Sequence, residues 1–157
     1  MALSAFSAVR WRLGLRSSRS FYHKQGKGIS HLYELLEKDG AKVVIDFATG
    51  LTWQQSGSLK DLNYSDAEKY IRDLNHRSFA GYEDWRLPTL EEAMSLVESE
   101  VKQGDLYVDS VFDKTQQLIW TADTASAGAA WAVDFGYGGY RSLPGSYVRA
   151  VRAGLLV

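Results

Sequence analysis

The 157-residue chain has the length of one ordinary domain, and 45% apolar with 24% charged residues excludes disordered, collagen-like and fibrous classes. With no cysteine and no run approaching about 18 apolar residues, the sequence offers no disulfide framework, cysteine zinc site, cysteine nucleophile or transmembrane segment. The net charge of −1 hides an asymmetry: residues 1–28 carry six basic and no acidic side chains, which leaves the remainder at a formal −7.

That basic tail, rich in Arg and Ser with scattered Leu, Phe and Trp, resembles an organelle transit peptide. The competing expectation is a plain N-terminal extension ahead of one domain over residues 29–157. A secretory signal places its charges before an uninterrupted apolar run, whereas here the apolar residues come first. The lack of a recognisable secretory signal favours the cytoplasm.

In chain order, residues 31–37 read as a strand, closed by the turn signal Lys38-Asp39-Gly40. β-Branched Val43-Val44-Ile45 gives a second strand, Ala48-Thr49-Gly50 a turn, and Leu51-Thr52-Trp53 a third strand. Ser65-Asp66-Ala67-Glu68 is a capping-box pattern, followed by Tyr70, Ile71 and Leu74 at helical spacing, so a helix is predicted over 65–77. Pro88 biases Leu87 away from helical geometry and makes Trp85-Arg86-Leu87-Pro88 extended. Thr89 with Glu92 forms a second capping box, and Leu90, Ala93, Met94 and Val97 define the buried side of a helix predicted over 89–102. Residues 117–121, 130–135 and 147–152 read as strands. Strands, two helices and strands again predict an α+β fold with antiparallel sheets, because parallel βαβ units would interleave the elements.

The chemistry-bearing residues form no recognisable catalytic pattern. His23, His31 and His76 include no pair at the spacing that lets two imidazoles on one helix face share a metal. Asp105, Asp109 and Asp113 recur every four residues without a calcium-loop pattern around them, and are expected to be solvated loop acids. Glu91 and Glu92 fall in the first turn of a helix, where capping and the helix dipole account for them. Gly145-Ser146 lacks the nucleophile-elbow pattern, and Gly136-Tyr137-Gly138-Gly139 lacks the order of a phosphate-binding loop. No cofactor, metal or catalytic residue is therefore assigned.

Trp53, Trp85 and Trp120 are expected in the core. Trp131 borders the segment WAVDFGYGGYRSLPGSY, which mixes Tyr137, Tyr140 and Tyr147 with Gly, Ser and Arg141. Binding loops use that mixture because Tyr supplies contact area at little entropic cost. The same segment equally fits a twisted hairpin whose tyrosines cover the sheet. Trp131, Tyr137, Tyr140, Arg141 and Tyr147 are accordingly the candidate ligand-binding residues.

Three phrases carry a resemblance: FATGLTW (47–53), FAGYEDWRLPTLEEAMSLV (79–97) and YVRAVR (147–152), with IWTAD and WAVDFGYGG between them. Together they resemble the Lcl C-terminal domain family of bacterial domains. Gly81, Asp84, Trp85, Arg86, Leu87, Pro88 and Thr89 are the most specific part, with Trp53, Arg149 and Arg152 as further motif positions of structural role. The resemblance implies a C-type-lectin-like fold with neighbouring N- and C-terminal strands, a Trp85–Thr89 segment packed between helices and sheet, and an exposed variable late region. With no nucleophile, metal or phosphate motif, the expected function is a noncatalytic module that binds protein or glycan through the late loops, with no specific nucleic acid. Some members bind sulfated polysaccharides, whereas this body is acidic and shows no basic stripe. The family often has cysteine where Ala150 stands, a position that packing alone explains. The Arg86–Thr89 run also resembles the helix start of formylglycine-generating-enzyme folds, a second reading with small-molecule or metal-dependent activity, but that chemistry uses cysteines. No Glu-Pro-Asn or Gln-Pro-Asp sugar motif of calcium-dependent lectins occurs.

Overall fold

The computed structural model describes residues 30–125 and 129–154; the basic tail lies outside the described residues. Its elements are strands β1 (Tyr33–Lys38), β2 (Ala41–Asp46) and β3 (Leu51–Gln54), helices α1 (Tyr64–His76) and α2 (Leu90–Ser95), then β4 (Leu118–Thr124), β5 (Ala130–Asp134), β6 (Gly139–Ser142) and β7 (Val151–Ala153). They build two antiparallel sheets, ordered β1-β2-β3-β7 and β4-β5-β6, so the α+β class is observed. Among the described residues, no helix is long and apolar enough to cross a membrane.

The first three strands follow the sequence reading, since β-branched runs separated by two turn signals give a meander at small loop cost. Strand alternation then divides the apolar residues. Val44, Leu51, Trp53 and Val151 share one face of the first sheet through their register, and pack with Ala93 and Met94 of α2, with Leu96 just after it, with Ile119 and Val133 of the second sheet, and with Phe135 just after β5. Val43 faces the other way, toward Leu74, Ala80, Trp85 and Ala150. The second sheet's outer side carries Trp120, Ala130 and Ala132, covered by Ala67 of α1 and by Leu87. Trp85 and Leu87 thus do pack between helices and sheets, and Ala150 is fully buried.

Three expectations are corrected, and one left open is decided. Helix α1 is capped by Asn63, whose side chain accepts from the Asp66 N–H at 2.8 Å, so Ser65 lies inside the helix; Asn caps as well as Ser does and comes earlier in the chain. Helix α2 does start from the Thr89/Glu92 capping box, but ends at Ser95 rather than near 102. The Ser95 carbonyl accepts from His31 Nε2 at 2.5 Å, and the Glu98 N–H turns away to the Tyr107 carbonyl at 2.8 Å, so tertiary partners replace the next helical bonds. Of the two readings left open for the Tyr- and Gly-rich segment, the hairpin is observed: Gly139–Ser142 forms β6, which its pairing with β5 stabilises in spite of low strand propensity. Finally, the regular C-terminal strand is only β7, and it pairs with β3, two strands away from β1.

Candidate binding surface

The β5–β6 hairpin owes its turn to Asp134. This carboxylate is 6% exposed, and its Oδ1 accepts from the backbone N–H groups of Gly136 (2.9 Å) and Tyr137 (3.1 Å). The Gly138 N–H bonds the Asp134 carbonyl at 2.8 Å, and Gly138 takes φ +77°, a left-handed conformation that glycine adopts without strain. The other Asp134 oxygen, Oδ2, pairs with Arg141 Nη2 from the neighbouring strand. One side chain therefore closes the turn and anchors a cation beside it.

Tyr137 sits at the tip with 71% of its surface exposed. A Cβ on Gly139 would lie 2.9 Å from Tyr137 Cε1, so the ring rests against the glycine backbone, while the Arg141 guanidinium lies 5.7 Å from the ring centre. An aromatic ring turned to solvent but braced on two sides has lost much of its rotamer freedom before any ligand arrives.

Register separates the five candidate residues. Trp131, Val133 and Tyr140 share one face of the second sheet, and Ala132, Asp134 and Arg141 the other. Trp131 and Tyr140 pack edge to face at 5.0 Å, with Tyr140 against the core; both are half-buried. Tyr147 lies along the far edge, its N–H donating to the Leu118 carbonyl and its carbonyl accepting from Trp120. Three strand spacings, about 14 Å, separate its backbone from that of Arg141. The five therefore split into a half-buried Trp131–Tyr140 pair, a Tyr137–Arg141 pair at the turn, and Tyr147 apart from both. Asp134, which organises the pair at the turn, was not singled out in the sequence, although Asp followed two residues later by Gly is an Asx-turn signal.

The family-motif residues are brought together elsewhere. Arg86 donates through Nη1 and Nη2 to the Glu92 carboxylate at 2.6 and 2.9 Å, a pairing that raises the Arg86 pKa. Glu92 also accepts from the Thr89 N–H at 2.8 Å, while Thr89 Oγ1 accepts from the Glu92 N–H. Asp84 pairs in the same two-pronged way with Arg152, whose guanidinium lies 3.7 Å from the Tyr82 ring centre. Gly81 holds φ +81°. Arg149 is fully buried, stacked 4.9 Å from the Phe112 ring centre and donating from Nη2 to the Asp113 carbonyl and Gln116; burial lowers its pKa to about 10. Trp53 is fully buried. Arg86, Leu87 and Thr89 also form one wall of an open cleft of about 540 Å³, facing Tyr64, Ile71 and Arg72 of α1.

The Lcl C-terminal domain model matches residues 42–152, most of the chain. The chain belongs to the Lcl C-terminal domain family. Among curated proteins none matches this sequence. The family region contains β2 to β6, both helices and most of β7, whereas β1 precedes it and extends the first sheet by one edge strand.

Proposed function

We propose that this chain is a noncatalytic recognition module with a C-type-lectin-like fold, binding protein or glycan through the β5–β6 turn. The observation that carries this reading is the braced, solvent-facing Tyr137 beside Arg141. Large exposed aromatic area held in one geometry favours binding because little side-chain entropy remains to be lost. The carboxylates best suited to acid–base work have other employment: Glu92 grips Arg86 and caps α2, while Asp109 and Asp113 accept loop N–H groups of Val111 and Thr115.

The test is a binding screen of the full chain over glycans and cell extracts against a Tyr137→Ala/Arg141→Ala variant whose fold is checked by circular dichroism. Tyr140 stays intact in that variant because it packs against the core. Specific binding lost in the folded variant supports the reading. Equal binding by both proteins removes this surface, and turnover of a small molecule removes the noncatalytic assignment.

A further inference from the structure

We infer that the Tyr137 surface selects uncharged glycans rather than sulfated or carboxylated ones, an inference that rests on the recognition-module reading above. Arg141 is the cation on this surface, and its charge is matched by Asp134, whose side chain is 8% exposed and inseparable from the turn. An anionic ligand would have to compete with a partner already in place. The body beyond residue 28 is acidic as a whole, at a formal −7. A polyanion meets no surplus positive charge here.

The size of the patch argues against a protein partner. A stable protein interface takes roughly 800 Å² from each side, with several apolar anchors, whereas one aromatic side chain offers only about 150–250 Å². The other exposed large apolar residues, Leu32, Leu35, Phe47, Leu59 and Val101, lie outside β4, β5 and β6 and their turn. One ring matches one sugar unit: the negative π face attracts the polarised C–H groups of a pyranose. The half-exposed Arg141 has further N–H donors for hydroxyl oxygens.

The experiment compares immobilised neutral, uronate-containing and sulfated oligosaccharides, with the full chain applied at about 0.05 and 0.5 M salt. The expected result is binding to a neutral arm that changes little with salt and falls about tenfold or more in Tyr137→Ala. Any binding of sulfated arms by the six cations of residues 1–28 is expected to be salt-sensitive and indifferent to Tyr137, so dependence on Tyr137 is the deciding readout. A second variant, Asp134→Asn, keeps an Oδ1 acceptor for the turn while removing the charge that holds Arg141. It is expected to gain salt-sensitive, Arg141-dependent binding to the sulfated arm. Tyr137-dependent binding confined to anionic arms, or to a protein alone, overturns the choice of ligand and leaves the recognition surface standing. Absence of any Tyr137-dependent binding overturns the surface itself. An Asp134→Asn protein that folds yet gains no anion binding overturns the charge argument.

Discussion

His31 and Asp46 form a buried charged pair, Nδ1 to Oδ2 at 2.6 Å, with both side chains almost fully screened from solvent. The second ring nitrogen meets the Ser95 carbonyl at 2.5 Å, so both imidazole nitrogens face acceptors and the ring satisfies both only as imidazolium. Tyr33 stacks on the ring at 4.8 Å. The pair joins the segment leading into β1 both to β2 and to the end of α2.

Stability should therefore fall on the alkaline side. Burial works to lower the His31 pKa, but the hydrogen bond and charge of Asp46, the Ser95 carbonyl and the charge of Glu98 outweigh it and raise the pKa above 6.5. A raised folded-state pKa gives stability that is full below the unfolded value and is lost as pH rises through the folded one. Urea unfolding of the parent and of His31→Gln should differ by about 1.5–3 kcal/mol near pH 6 and converge toward pH 9. A constant difference across that range would show that the ring contributes by packing alone.

Trp85 is 2% exposed, donates from its indole N–H to the Phe79 carbonyl at 2.8 Å, and packs with Val43, Leu74 and Ala150. Trp85→Ala should cost about 3–5 kcal/mol, read from the urea midpoint at unchanged slope. A near-neutral result would deny the site its place in the core.

Arg86→Ala strands a carboxylate that is 2% exposed, with the Thr89 N–H as its remaining support. The loss should be about 2 kcal/mol, below that of a fully buried pair because the Arg86 side chain is 38% exposed. Adding Glu92→Gln to that variant should restore stability in part, since the stranded charge disappears while the cap remains. A further loss in the double variant would assign the cost to packing instead.

The two glycines of the turn should behave differently. Gly138→Ala forces a side chain into φ +77° and should destabilise by about 1–2 kcal/mol in thermal unfolding. Gly139→Ala sits at ordinary φ and displaces only the solvent-facing ring of Tyr137, so stability should stay within about 0.5 kcal/mol while ligand binding falls. Unchanged binding in Gly139→Ala would mean that the posture of the ring does not matter.

Local signals were legible in the sequence wherever local chemistry decides the structure. The Thr89/Glu92 capping box marks the start of α2, and the turns after Lys38 and Ala48 mark the first meander. The end of α2 was not legible, because His31 and Tyr107 set it from distant parts of the chain. Composition singled out Tyr137 and Arg141 but also Trp131, Tyr140 and Tyr147, and only the register of β5 against β6 sorts them onto separate faces and edges. Asp134 was passed over because its role lies in backbone N–H groups that appear only once the turn has formed.

The bonds that close the β5–β6 turn run from Asp134 to main-chain N–H groups and to Arg141, and none involves the tyrosine side chain. The tip residue is thus a cargo carried on a self-supporting pedestal. Exchanging it for Trp, His or Asn leaves every one of those bonds in place, so position 137 is a point where natural variation or a designed library can retune what this domain recognises without renegotiating how it folds.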